Sequence, residues 1–311
     1  MGEIFDGIIS EICNEKNIEI KEVSYGWIKI LKKDKKTRYI VGYTFELNSA
    51  VSKNISKDKY ATYEILKYNG IPIIEHNIVF NPVTRSDYYK KEHIDTAKGL
   101  LNSYKKIIIK ANDSSCGREV YCCENEDDIE KIIYNLFENN NNSLSVCPFI
   151  NIKYEYRAIY LYGDIIYLYK KTKPYVIGNG INDLGFLINE KKIKDNIDID
   201  IISTLDLQYV PKENEKVVIS WKHNLSNSAE PILIDDSDIY ASKIKEIAIK
   251  VGNALNISFA SIDICLTDDN EIYVMEVNSN VCMAKFSQKA LNGYQIVKEI
   301  YSKAIDKMFG E

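Results

Sequence analysis

The chain has 311 residues, of which 45% are apolar and 27% charged, and its net charge is −5. That is enough apolar material for one large core or for two to three lobes. The acidic balance argues against a general binder of nucleic acid or anionic membrane, and no apolar run approaches the roughly 20 residues of a membrane span.

The opening residues, MGEIFDGIISEIC, lack a basic n-region, so no secretory signal is expected, and Asp6 stands where a myristoylation signal wants Ser or Thr. Apolar residues at helical spacing predict a short amphipathic helix over 1–17. Alternation over 18–45 predicts strands around a polar turn at Lys33–Lys36. From Ser56 the period changes to that of a helix, which Gly70 closes as a left-handed cap and Pro72 forbids from continuing. A second helix is predicted over 94–105. The strand KIIIKAN, the loop DSSCG, the strand REVYCC, a helix from Asn125 and the strand LSVCPFI follow. A long hairpin over 154–180 is expected to turn at Gly163-Asp164. Residues 192–210 read as polar and irregular, EKVVIS as a strand, and 240–255 as a helix. ASIDICL and EIYVMEV close the pattern as an antiparallel pair. Seven cysteines without C-x-x-C spacing point to a reduced cytoplasmic compartment and no structural zinc, and three histidines leave little material for a histidine-based site.

The last pair carries chemistry. A two-residue turn at Asp269-Asn270 sets Asp263 directly opposite Glu276, with Asn278 on the same face two residues on. Two carboxylates about 4 Å apart repel by about 4 kcal/mol at a surface-like dielectric. A shared proton, a basic side chain or a divalent cation must offset this. Two carboxylates and an amide oxygen suit Mg²⁺ or Mn²⁺ bridging nucleotide phosphates. The plainer reading shifts the register by one residue and turns Asp263 to solvent. Further upstream, Lys110 ends an apolar strand before a loop of small residues, Asp113 to Gly117. Such a loop can wrap phosphate oxygens with its N–H groups, although a plain hairpin turn uses the same residues. Cys116 in that loop is either a thiol activated by its neighbours or an unreactive small residue. Lys59, at the start of a helix, opposes the helix dipole, so helix stability does not explain it.

Taken in order, DKYATYEILKYNGIP, KANDSSCGREV, YEYR (154–157), IGNGINDLGFLI (177–188), HNLSNS (223–228) and the Asp263 to Asn278 pair resemble the ATP-grasp superfamily. The branch they resemble most holds cyanophycin synthetase and the bifunctional glutathione synthetases, and the resemblance runs from about Asn48 to Phe286. It implies an α+β, ATP-grasp fold, two α+β lobes clamping ATP, here with a reduced N-terminal lobe. The implied boundaries are a small N-terminal lobe over 1–47, a linker or pre-grasp segment over 48–105, a lid over 106–150 and a catalytic subdomain over 151–311. It also implies an ADP-forming carboxylate–amine ligase that works through an acyl-phosphate, with ATP and two Mg²⁺ ions for which Mn²⁺ can substitute.

Carried over by position, Lys59 and Lys110 touch the ATP phosphates, with Ser114, Ser115 and Gly117 as the mobile loop above them. Pro148, Phe149 and Ile150 read the base through the main chain. Asp263, Glu276 and Asn278 hold metal. Lys171 lies near the phosphates, and Arg157 and Asn224 orient the acyl-phosphate or the carboxylate substrate. The expected partners are small-molecule amino acids or peptides, without nucleic acid or membrane, and a homodimer is allowed. Asp263→Asn or Glu276→Gln should abolish activity and leave the fold intact, since either substitution relieves repulsion.

The chain departs from the family pattern at four places. Cys147 stands where a hinge acid is usual, Asn-Ser-Ala-Glu follows Asn224-Leu-Ser, Ser279-Asn280 replaces a Pro-Gly turn, and only about 45 residues precede the match. Two other functions stay open: modification of a peptide or protein side chain, and a nucleotide-binding regulator without turnover.

Overall fold

Apolar residues at helical spacing bury one side of α1 (Glu3–Glu15), the amphipathic helix expected at the start. This computed structural model describes residues 2–114, 119–195, 199, 201–235 and 237–311. Ser115, Cys116 and Gly117 of the expected phosphate loop lie outside the described residues. After α1, strands β1 (Glu19–Val23), β2 (Ile28–Lys33), β3 (Lys36–Val41) and β4 (Thr44–Phe45) form an antiparallel sheet in sequence order. Its inner face is not a separate core. Phe45 lies edge-on to Phe259 of the central sheet at 5.3 Å, and Phe5 meets Tyr301 near the C-terminus at 5.3 Å.

Two short helices lead out of this region. The first, α2 (Ala50–Lys57), is capped by Ser49, and α3 (Lys59–Tyr68) is capped by Asp58. Gly70 then adopts φ 67, a backbone conformation open to glycine at little cost, so the helix ends there as expected.

The lid follows. It comprises β5 (Asn77–Phe80), α4 (Glu92–Tyr104), β6 (Ile107–Ala111), β7 (Val120–Cys123), α5 (Glu126–Glu138) and β8 (Ser143–Pro148), with the strands ordered β5-β8-β6-β7. Helices α4 and α5 cover one face around Val79, Ile94, Ile109, Ile133 and Val146. Thus β5 and α4, which the sequence reading left in the 48–105 segment, share a sheet and a core with 106–148. The opposite face carries the cross-strand sets Ile108–Cys147–Cys122 and Lys110–Ser145–Val120.

The central sheet is built from β9 (Ile152–Leu161), β10 (Asp164–Lys171), β13 (Pro231–Leu233), β14 (Phe259–Thr267) and β15 (Ile272–Asn278), in the order β13-β10-β9-β14-β15. The β9–β10 turn falls on Tyr162-Gly163, one residue before the expected Gly163-Asp164, because both residues take positive φ. Between β10 and β13 lies a small unit of β11 (Tyr175–Ile177), α6 (Leu184–Asp195) and β12 (Lys216–Val218) with its own apolar centre. Among the described residues of 192–210 only 192–195 are helical, the last turn of α6, whose apolar residues Leu184, Leu187 and Ile188 lie earlier at helical spacing. One face of the central sheet packs on α7 (Ala241–Ala254). There Gly252 lets the helix approach closely, since a Cβ would lie 2.3 Å from the Tyr160 ring. The other face meets α8 (Ala284–Lys289) and α9 (Gly293–Phe309), two helices the sequence reading did not assign.

Candidate functional site

Asp263 and Glu276 are cross-strand partners, as the spacing predicts. The route to that pairing differs from the one expected. The hairpin loop holds three residues, Asp268 to Asn270, because the Thr267 N–H donates to the Glu271 carbonyl at 2.9 Å and Asn270 takes φ 63. This shifts the register by one residue as far as Ile264 opposite Val274. A bulge at Met275 then restores it. Bulges of this kind re-aim a side chain near functional sites. Two one-residue departures therefore cancel, and Glu276 and Asn278 share the face of Asp263.

The repulsion between the acids is offset by basic side chains on neighbouring strands. Arg157 on β9, also cross-strand from Asp263, grips that carboxylate with two donors, Nε at 2.7 Å and Nη2 at 2.6 Å. Lys171 on β10 adds Nζ at 3.3 Å to the same carboxylate and pairs with Glu155 on β9. Both Lys171 and Asp263 are 4% exposed. Burial by itself raises the Asp263 carboxyl, but the Arg157 and Lys171 charges outweigh it and hold the group at about 2. Glu276, with a side chain 30% exposed, meets Lys59 at 3.5 Å.

Lys59 is buried, and its position answers the puzzle of a lysine at a helix start. Its Nζ donates to the carbonyls of Ser114 at 2.7 Å and Asn112 at 3.3 Å, so it ties the entrance of the small-residue loop to β15. Burial lowers its pKa, although the Glu276 carboxylate pulls the other way. Lys110 lies on the lid face opposite, beside Ser145. Its charge and that of Lys59 add to burial in holding His76 neutral, with His76 Nδ1 2.7 Å from Ser145 Oγ.

Between the lid face and the central sheet lies an apolar cluster around Ile74, Ile108, Cys147 and Cys265, bordered by Phe149, Trp221, Tyr273 and Met275. Its members come from the lid, the hinge and the central sheet together. Of the expected hinge trio, Pro148 has no N–H and the Phe149 N–H donates to the Lys106 carbonyl at 3.0 Å. Only the Ile150 N–H remains as a main-chain donor in that stretch. The Phe149 ring contributes as a wall, edge-on to Trp221 at 5.5 Å. Asn224 does local work: its Oδ1 accepts from the Ser226 N–H at 2.9 Å and caps the 3₁₀ turn Leu225–Asn227.

Glu155 and His223 belong to this array and were not singled out from the sequence. Glu155 stands two residues before Arg157, so strand alternation puts both on one face, and His223 directly precedes Asn224. Clefts of about 330 and 290 Å³ lie elsewhere, one at β7 and α5, the other beside β13. Neither is lined by Asp263, Glu276 or Lys59, so convergent charge rather than cavity size marks the site. Among the described residues no three acids, histidines or cysteines form a preformed metal cluster. The available set is two carboxylates and one amide. Its all-oxygen chemistry, with Glu276 half-buried, suits a hard cation that takes its remaining ligands from water and phosphate.

Residues 223–303 match the model of the RimK-like ATP-grasp domain, a span that contains Asn224, Asp263, Glu276 and Asn278. Among curated proteins, the glutathione biosynthesis bifunctional protein GshAB of Clostridium perfringens is 24% identical over 263 residues, covering 77% of this chain and 32% of that protein. Among solved structures, a bifunctional glutathione synthetase from Pasteurella multocida aligns with TM-score 0.57 at 14% identity, over 96% of this chain and 44% of the other. D-alanyl-alanine synthetase A from Vibrio cholerae aligns with TM-score 0.58 at 13% identity, over 98% and 93% of the two chains. The chain spans only a minor part of the two glutathione-forming relatives, 32% and 44% of their lengths. The fold is the ATP-grasp fold, and residues 223–303 are similar to the RimK-like ATP-grasp domain.

Proposed function

We propose that the protein is an ADP-forming carboxylate–amine ligase acting on an amino acid, a peptide or a related metabolite. The observation that carries this reading is the single row Arg157–Asp263–Glu276 with Lys59 reaching it from the loop side. A purely structural ion cluster has no need of a buried lysine tethered to a small-residue loop.

In this reading the apolar cluster between the lobes takes the adenine. Lys59, Lys110 and the loop containing Ser114, Ser115 and Gly117 take the phosphates. Asp263, Glu276 and Asn278 would hold Mg²⁺, which when bound supplies positive charge to the phosphate oxygens. Lys171 and Arg157 hold Asp263 ionised and in place. Arg157, with a side chain 21% exposed, stands at the edge where a substrate carboxylate would meet the γ-phosphate. A carboxylate oxygen attacks the γ-phosphorus, the bond from that phosphorus to the β–γ bridging oxygen breaks, and an acyl-phosphate and ADP result. An amine then attacks the acyl carbon and expels phosphate. Negative charge grows on the acyl oxygen and on the leaving group, and fixed cations in a water-poor cleft stabilise both.

A polypeptide acceptor is a second reading, favoured by one feature. The outer face of the N-terminal sheet leaves Trp27, Tyr39 and Val41 exposed, and Thr44 of that sheet hydrogen-bonds Asn280 just beyond Asn278. A screen of amino-acid, dipeptide and peptide pairs for Mg²⁺-dependent ADP release, with mass detection of products, tests both readings. The ligase reading expects release only with both substrates present. Protein that binds no ATP in the presence of Mg²⁺ contradicts it.

A further inference from the structure

Among the described residues, four buried side-chain polar atoms have no hydrogen-bond partner: Asp6 Oδ1, His93 Nδ1, His223 Nε2 and Asp306 Oδ1. Asp6 and Asp306 each have a lysine Nζ at 2.7 Å, from Lys29 and Lys16. His93 lies on α4 at the far side of the lid, against Phe80. His223 differs from these in its chain neighbours: Trp221 borders the apolar cluster, and Lys222 Nζ donates to the Val120 carbonyl of β7 at 3.2 Å. His223 is 5% exposed, and its Nδ1 lies 3.9 Å from Oε2 of Glu155. Glu155 is in turn the cross-strand partner of Cys265, a member of the apolar cluster, and lies two residues from Arg157. The imidazole therefore occupies the seam between the apolar cluster and the charged row.

A buried polar atom without a partner is costly and calls for an explanation. Here the chemistry narrows it. Glu155 Oε2 lies 3.9 Å from Nδ1, too far for a hydrogen bond, but the nearer carboxylate charge favours the ring proton on Nδ1, which leaves Nε2 with a bare lone pair. A phosphate oxygen would set lone pair against lone pair. An ammonium group is disfavoured by Lys171 and Lys173, whose charges already act on this ring. The group that fits is a neutral O–H donor, and the seam between a base pocket and a phosphate site is where a nucleotide carries its ribose. Resting on the ATP reading above, we propose that His223 Nε2 accepts a hydrogen bond from a ribose hydroxyl of the bound nucleotide, with Glu155 fixing the tautomer.

Binding of ATP, 2′-deoxy-ATP and 3′-deoxy-ATP with Mg²⁺ should be measured by calorimetry on the wild type, His223→Gln and His223→Leu, with melting temperatures in parallel. The wild type is expected to bind one of the two deoxynucleotides about threefold to tenfold more weakly than ATP, the worth of one hydrogen bond. His223→Leu should bind ATP as weakly as that deoxynucleotide and lose the discrimination. His223→Gln, which keeps an acceptor oxygen, should retain part of it. The assignment is overturned by a wild type that binds all three alike, a comparison that needs no folded variant. It is also overturned by a leucine variant that still discriminates, or by one whose defect lies in the KM of the amine substrate. A wild type that binds none of the three removes the ligase reading, and this assignment with it.

Discussion

Two antiparallel sheets in this molecule each bury a cation against a pair of acids, and they do so to different ends. In the N-terminal sheet Lys29 is 0% exposed and reaches Asp6 at 2.7 Å and Glu22 at 2.6 Å. In the central sheet Arg157 and Lys171 hold Asp263, and Glu276 stands beside it. The acids of the first cluster have side chains 32% and 47% exposed, so both stand partly in water, although Asp6 Oδ1 itself is buried against the lysine. The central acid of the second is buried, and its cations are buried with it. The first cluster joins α1 to neighbouring strands β1 and β2; the second faces a loop, an apolar cluster and another lobe. Buried charge therefore does not by itself identify a site. What distinguishes the second cluster is that its ion pairs aim a carboxylate row at a space bounded by another lobe.

The largest expected effect comes from removing the buried anion. Asp263→Asn leaves Arg157 and Lys171 facing a neutral amide, and breaking a buried pair costs about 3–5 kcal/mol. Activity should vanish, and the denaturant midpoint should fall sharply. This corrects the expectation that relieving the repulsion between two acids would leave the fold intact, because the repulsion is already offset by the two cations. Glu276→Gln is the contrasting case. Its carboxylate is half-exposed and meets one lysine at 3.5 Å, so stability should shift by no more than about 1 kcal/mol while Mg²⁺-dependent turnover is lost. Equal destabilisation by the two substitutions would mean that the two carboxylates are held alike. Next in size is Lys59→Met. It removes the donor that joins the Ser114 carbonyl to β15, and a charge-assisted contact of this kind is worth about 1.5–3 kcal/mol. The KM for ATP should rise by roughly tenfold to a hundredfold in steady-state assays, with little change in the KM for the amine.

The legible parts of this site were those fixed by short-range pattern. The strand period placed Asp263, Glu276 and Asn278 on one face, and Gly70 and Pro72 marked the end of α3. Lys59 stood out because its helix gave no reason for it. The less legible parts depend on three-dimensional context. A three-residue loop and a bulge at Met275 cancel in register, and a sequence cannot distinguish that from a two-residue loop with no bulge. The grip of Arg157 on Asp263 joins residues 106 positions apart, so only the strand order β9-β14-β15 reveals it. The Phe149 N–H is engaged because β6 runs beside the hinge, which composition does not report. Helix α9 is legible by contrast, since Val297, Ile300, Tyr301, Ala304, Ile305 and Met308 sit at helical spacing.

Acid titration sharpens the comparison further. Asp263 is held at about 2, below the value near 4 of an unfolded aspartate. A depressed carboxylate contributes stability that is complete above the unfolded value and is lost as pH falls through the folded one. The wild type should therefore lose stability between about pH 4 and pH 2 in thermal or denaturant unfolding. Asp263→Asn should lack that component, so the gap between the two proteins narrows on acidification. A gap that stays constant over this window would assign the low value to another group.

The smallest effect is expected at the other sheet. Lys29→Met replaces a buried ammonium by an apolar chain of similar length, leaves Glu22 at the rim, and lets Asp6, whose side chain is 32% exposed, rotate its buried Oδ1 to water. Replacing a buried charge by a well-packed apolar group is often neutral, and rim acids recover their solvation. Stability at neutral pH should change by no more than about 1 kcal/mol, and ADP release should be unaffected, since Lys29 touches no residue of the carboxylate row. A loss of several kcal/mol would mean that Asp6 and Glu22 cannot reach water once the lysine is gone. The two clusters would then be alike in energy and differ only in what faces them.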